Sequence, residues 1–235
     1  MNSDAHAVGD AESARREVIR IYERYAVEVV ERFDLCPWAA RARRTGAARP
    51  WVLTQSDPDE LGDSLAAIGA VSADHTLSVA LLVYPRFQLG RRDFEHFVRR
   101  LRRADAERHG IGEIPFAMAA FHPHAEPDLA APERLVPFVR RSPDPTIQLV
   151  RQQALEAVRG ENGGGTAFAD VWMLSPSGLD AAEQAPGVRD RIAQDNLETV
   201  RSVGHAVLEA IFDDIERDRQ ATYARLGWSV APRGP

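Results

Sequence analysis

Thr76-Leu77-Ser78-Val79-Ala80-Leu81-Leu82-Val83-Tyr84 is apolar almost throughout, the pattern of a strand covered on both faces. Two short apolar runs flank it: Trp51-Val52-Leu53-Thr54 reads as a strand before it, and Phe116 to Phe121 as one after it. Helical segments separate the three. Asp57-Pro58-Asp59-Glu60 offers an N-cap Asp, a proline at the first helical position and acids in the first turn, with Leu61, Leu65 and Ile68 on the buried side. Arg91 to His109 turns Phe94, Phe97, Val98 and Leu101 inward and is closed by Gly110. This βαβαβ rhythm specifies an α/β fold, or an α+β ferredoxin-like one, with a small, mainly parallel sheet covered by helices.

Outside this core the signals are helical. From about Asp10 to Phe33, the residues Val18, Ile21, Tyr22, Tyr25, Val29 and Phe33 recur at three- and four-residue steps, one stripe of a long N-terminal helix. A proline-rich loop, His122 to Asp144, precedes a segment from Pro145 to Arg159 that reads as a helix. Gly163-Gly164-Gly165 reads as a linker and Thr166 to Leu174 as a strand. The stretch from about Gly187 to Arg219 is a long C-terminal helix, or two that meet near Gly204. The expected organisation is a tail over residues 1–10, a single α/β domain over 11–220, and a C-terminal tail over 221–235.

Composition narrows the function. No run of about 18 apolar residues suggests a membrane span, and the first residues lack the basic and apolar regions of a secretory signal. One cysteine among 235 residues permits no internal disulfide, so a cytoplasmic location is expected. All 29 basic residues are arginine, which excludes a lysine Schiff base, a lysine-anchored pyridoxal phosphate and a P-loop lysine. The net charge of −6 argues against generic nucleic-acid binding. The arginines between Arg91 and Arg108 read as a solvated helix face, and Asp213-Asp214-x-Glu216-x-Asp218 as an exposed acidic one.

Three segments carry chemistry. In Asp34-Leu35-Cys36-Pro37-Trp38-Ala39, Pro37 suits the first position of a new helix, which makes Cys36 its N-cap. Its sulfur would then face free backbone N–H groups, a setting that favours thiolate. Phe121-His122-Pro123-His124 follows a strand end, where α/β sites are built, and His122 and His124 can offer two imidazoles to one ion. Arg140-Arg141-Ser142-Pro143-Asp144-Pro145-Thr146 is a rigid, arginine-bearing turn suited to a carboxylate or haem propionate, with Arg151 two helical turns further on.

Together the segments resemble a bacterial family of unknown function, DUF1415. Its members carry Leu-Cys-Pro-Phe-Ala after the first helix, Phe-His-Pro after a strand, and Arg-Ser-Pro-Tyr-Pro-Thr-x-His-Leu-x-Arg. Here these read Leu35-Cys36-Pro37-Trp38-Ala39, Phe121-His122-Pro123 and Arg141-Ser142-Pro143-Asp144-Pro145-Thr146-Ile147-Gln148-Leu149-Val150-Arg151. Order and spacing match over roughly residues 15 to 205. The resemblance implies that Cys36, His122, Arg141 and Arg151 share one pocket. Gln148 stands where the family usually has histidine and Asp144 where it has tyrosine, and Gly160 to Pro186 reads as an insertion.

The function expected first is a small-molecule oxidoreductase with a haem, iron or copper centre. Cys36, His122 and His124 would be its ligands, and Arg141 and Arg151 would hold propionates or a substrate carboxylate. The alternatives are a metal-free enzyme with Cys36 as nucleophile, His122 as base and Arg141 orienting a carboxylate-bearing substrate, or a non-catalytic binding protein whose Cys36 is a small buried hydrophobe. The expected partner is a small anionic molecule, with no nucleic acid or membrane, and the apolar C-terminal helix leaves room for a homodimer.

Overall fold

The computed structural model describes residues 2–109, 113–155 and 188–229. Its strands are β1 (Ala48–Val52), β2 (Val79–Val83), β3 (Phe116–Phe121) and β4 (Thr146–Arg151). Its helices are α1 (Asn2–Tyr25), α2 (Ala39–Arg44), α3 (Gly62–Ala73), α4 (Arg91–Ala106), α5 (Pro132–Val139), α6 (Val188–Val203) and α7 (His205–Arg225). The fold is α/β, and the sheet order is β1-β2-β4-β3.

The sheet is mixed rather than mainly parallel. β1 runs parallel to β2, in register from Ala48 opposite Val79 to Val52 opposite Val83. β4 enters antiparallel to both β2 and β3, with Gln148 opposite Leu81 on one side and Ala119 on the other. The segment expected as a helix from Pro145 is therefore a strand. Two edges pair with it there, and its alternation buries Ile147 and Leu149 on one face. Pairing of this kind decides between two local readings that the spacing alone leaves close.

Each face has its own core. On one, Ala80, Leu82, Tyr84, Phe116, Met118, Ile147 and Leu149 pack against Ile68 and Val71 of α3 and Phe94, Phe97, Val98 and Leu101 of α4. The ring of Tyr84 stacks on Phe87 and meets Phe97 edge-on, while its hydroxyl donates to Ser64 Oγ at 3.0 Å. On the other, Val52, Leu81 and Val83 face Val18, Ile21 and Tyr25 of α1, Phe138 of α5, and Phe212 and Ile215 of α7. Burying one such large side chain contributes on the order of 2 kcal/mol. Arg20 and Arg24 of α1 clamp α7 through Asp218 at 2.7 and 2.9 Å.

Several boundaries differ from the sequence reading. α1 already begins at Asn2, within the span read as a tail. α7 continues to Arg225, and buried Tyr223 receives Trp228 edge-on, so residues just past 220 belong to the core. Asp57 does not cap a helix. Its carboxylate takes the Asp59 N–H at 2.8 Å in a local turn, and α3 starts at Gly62. The break near Gly204 is present, with φ at +86°. The expected linker, the strand from Thr166 and the whole of the expected insertion lie outside the described residues. Among those residues no helix is long and apolar enough to cross a membrane.

Candidate functional site

Cys36 sits at the end of a distorted helix. After α1 the chain widens into a π-helical segment, Ala26–Glu31, where the Arg32 N–H reaches back to Val27 O and the Leu35 N–H to Val30 O. Asp34 then takes φ at +50°, a left-handed turn that a short polar side chain tolerates. The Cys36-Pro37-Trp38 turn closes with the Ala39 N–H on Cys36 O at 3.1 Å, and Trp38 rather than Cys36 is the formal N-cap of α2.

The sulfur nevertheless faces the N–H groups of Trp38 and Ala39. Burial pushes the thiol above its ordinary value. The two N–H groups oppose that, Asp34 adds to it, and the charge of Arg140 favours the thiolate. The expectation of a resting thiolate is thus reversed. Cys36 is half-buried, and that burial, which a reading of the turn by itself does not include, comes from the packing of the turn against the end of α1. Arg140 lies with its guanidinium 5.5 Å from the centre of the Phe121 ring.

The His122 ring is held by backbone groups. It is 4% exposed against Phe94, and its Nδ1 accepts the His124 N–H at 3.1 Å. Nε2 must then carry the proton that it donates to Leu89 O at 3.0 Å. Burial lowers its pKa to about 4. With both ring nitrogens engaged, this neutral tautomer offers no lone pair to a metal or a substrate. His124 meets His122 edge-on, and burial, then the charges of Arg219 and Arg141, push its pKa below the ordinary histidine value.

Arg141 is also committed. Its Nε donates to Pro123 O at 3.1 Å and one terminal nitrogen to Glu209 Oε1 at 2.8 Å, with the guanidinium 4.9 Å from the Phe212 ring centre. Arg151 lies at the far end of β4, about 17 Å of strand from Thr146. There it donates to Val71 O and Asp74 O at the C-terminus of α3 and to Leu77 O just beyond it. It does not belong to the same pocket. Gln148 is half-buried in mid-sheet.

Sequence reasoning missed the network behind the arginine turn. Asp144, 2% exposed, takes Arg219 Nε on Oδ1 at 2.7 Å and the Tyr223 hydroxyl on Oδ2 at 2.6 Å. Arg219 also reaches Glu216 at 3.2 Å. The available signal was Arg219 continuing the buried stripe Leu208, Phe212, Ile215 of α7, a position where an arginine requires a buried anion. The cavity beside this network, lined by Tyr25, Arg141, Ser142 and Glu216 among others, is about 10 Å³, room for one water. A larger open groove of about 540 Å³ runs between Glu28, Arg32 and α7 and holds none of the expected site residues.

The expected metal set therefore does not fit. Among the described residues, no three His, Cys, Asp or Glu side chains are grouped to hold an ion, and the His122 nitrogens are both used. What the geometry assembles is a mixed α/β protein whose one thiol is set in a tight turn within the field of an arginine. The chain belongs to the family described as Protein of unknown function (DUF1415), whose model matches residues 17–163. Comparison with curated proteins and with solved structures finds no match. The matched span includes Cys36, His122, Arg140, Arg141 and Asp144, whereas Glu209, Arg219 and Tyr223 lie beyond it.

Proposed function

We propose that this protein is a metal-free thiol enzyme acting on a small anionic molecule, with Cys36 as its nucleophile. The observation that carries the reading is the setting of the half-buried sulfur in its turn, where the N–H groups of Trp38 and Ala39 and the charge of Arg140 favour the anion while burial and Asp34 oppose it. Burial keeps the proton on sulfur at rest. Once the proton leaves, those same dipoles and that charge stabilise the thiolate until it adds to a carbonyl carbon, the sulfur–carbon bond forming as the C=O π pair moves onto oxygen. A carboxylate on the substrate would be drawn into the same positive field and orient that carbon toward the sulfur. In this reading Arg140 takes the part first expected of Arg141. His122 is not the base, and the thiol proton passes to solvent or to the substrate.

The test compares iodoacetate with iodoacetamide on the full chain. Each forms a carbon–sulfur bond, breaks a carbon–iodine bond and releases iodide, and they differ in charge. Because Cys36 is the only thiol, mass spectrometry assigns the product without ambiguity. The expected result is alkylation of the folded protein, with an iodoacetate preference at least ~3-fold greater than free cysteine shows. Alkylation only after unfolding, or no gain for the anionic reagent, would instead make Cys36 an inert buried hydrophobe in a non-catalytic protein.

A further inference from the structure

We infer that the open groove along α7 receives a second copy of this chain, in a two-fold dimer that sets Arg32 of each copy against Asp214 of the other. The inference does not depend on the thiol reading. The groove follows from the way α7 lies along the N-terminal helix. Arg20 meets Asp218, and Arg24 meets both Asp218 and Asp214, so the two helices run antiparallel. Toward the start of α7, Glu28 and Arg32 continue that side of the N-terminal element, and Ala206, Val207, Ala210 and Ile211 line the groove with them. Two of the four exposed large apolar side chains among the described residues, Val27 at 42% and Val207 at 46%, belong to these two elements. Ala206 and Ala210 are exposed as well, so the α7 wall is an apolar strip that its own protomer leaves uncovered.

Charge is ordered along this strip, and the order selects the occupant. Antiparallel packing puts Arg32 at the Val207 end, while Glu28 and Asp214 lie toward the other, about 12 Å of helix from Ala206. Arg32 is exposed, with its guanidinium 5.4 Å from the Phe33 ring centre, and among the described residues it forms no ion pair. Asp214 is 54% exposed. Arg24 holds its Oδ2 at 2.7 Å, but its Oδ1 meets only Arg217, itself 69% exposed, at 3.1 Å. A two-fold axis normal to the groove at Ala210 reverses the order of charge in the second copy. Each Arg32 then comes to the half-open carboxylate of the partner's Asp214, and Val207 lies toward the partner's Ile211. That is the self-complementary pairing a closed dimer requires. The single methyl group of Ala210 lets the two helices approach closely at the axis. A strip of one sign would call for a foreign partner of the other sign, whereas a strip with opposite ends fits its own copy.

The experiment is sedimentation velocity on the full chain from about 1 to about 200 µM, with a monomer–dimer equilibrium of Kd about 10–100 µM as the expected result. In a two-fold dimer a residue on the axis meets itself. Ala210→Glu and Ala210→Arg, at an exposed position that forms no side-chain hydrogen bond, should therefore each weaken dimerisation at least ~10-fold, and an equimolar mixture of the two should recover it. Arg32→Glu sets like charges together at both ends and should weaken it about 5-fold. Circular dichroism of each variant checks that the protomer is folded, and the mixture stays informative because its two components carry no other change. A parent that sediments as a monomer throughout overturns the inference and leaves the groove to a different partner. A dimer unmoved by Ala210→Glu overturns it by placing the contact on another face. Loss in both Ala210 variants without recovery in the mixture, or an Arg32→Glu dimer as tight as the parent's, overturns the two-fold arrangement.

Discussion

His122 makes stability depend on pH between neutrality and mild acid. Burial first, with the charges of His124, Arg91 and Arg219 behind it, lowers its pKa from 6.5 to about 4 in the folded chain. The unfolded chain takes up a proton there near 6.5, so the unfolded state binds more protons throughout the interval. His122 therefore favours folding fully above pH 6.5, and that contribution is lost as pH falls toward 4. The full difference of about 2.5 units corresponds to about 3 kcal/mol, of which about 2 kcal/mol is lost between about pH 7 and pH 5. With 4% of its surface exposed, solvent screening gives little discount. The assay is urea unfolding followed by tryptophan fluorescence across this range, on the parent chain and on His122→Asn. The variant is less stable at neutral pH because it loses the bond to Leu89 O, but its stability should fall with acid by about 2 kcal/mol less than the parent's. Parallel profiles for the two proteins would refute the reasoning, since they would mean that the imidazole accepts its proton without leaving the pocket.

Other perturbations test the framework. Arg219→Met leaves the Asp144 carboxylate buried beside the Tyr223 hydroxyl alone and should cost about 3–5 kcal/mol in urea unfolding, with a further change to Asp144→Leu restoring part of it. Arg151→Met removes donors to carbonyls at the end of α3 and should cost about 2–3 kcal/mol while Cys36 keeps its alkylation rate. Gly204→Ala places a Cβ at φ +86° with no atom within 4 Å of it, so the cost is backbone strain alone, about 1 kcal/mol by thermal unfolding. Hydrogen bonding to Arg20, with Arg24 adding to it and burial opposing, holds Asp218 below the usual carboxylate range. Its contribution, about 1 kcal/mol for a partly exposed pair, is present above about pH 4 and lost below it, and Asp218→Asn should remove that acid step.

The fold was legible where local and tertiary signals agree. Phe116–Phe121 appears at the bounds its apolar run implies, and Arg91 onward is a helix with Phe94, Phe97, Val98 and Leu101 buried. It was illegible where a turn residue has two uses. Asp57-Pro58 and Asp144-Pro145 both read as helix starts, yet Asp57 closes a four-residue turn and Asp144 meets Arg219 across the domain. In the segment after Pro145, Ile147 and Val150 suit a helical face as well as a strand, and only the partners β2 and β3 settle it. The misplacement of Arg151 follows directly, because six residues of strand carry it away from Arg141 where a helix would have kept it near. The Cys36 turn was legible in outline, whereas the direction of its pKa depended on tertiary burial that the turn alone does not show.

The signature residues divide by what their polar atoms have left to give. His122 has spent both nitrogens on Leu89 O and the His124 N–H, and Arg141 donates to Pro123 O and Glu209. These side chains bind backbone and fix the relation between the end of β3 and the Arg140 loop. Such residues recur in a signature as readily as catalytic ones, because losing either leaves a buried group unpaired. Cys36 differs: two backbone N–H groups and Arg140 favour its anion, while burial and Asp34 keep the proton on the sulfur at rest. A folded chain gains nothing from stabilising a charge that is absent. In the proposed reading, that opposition between burial and the N–H dipoles and arginine charge is the reason to look for the chemistry at Cys36 and for support at His122 and Arg141.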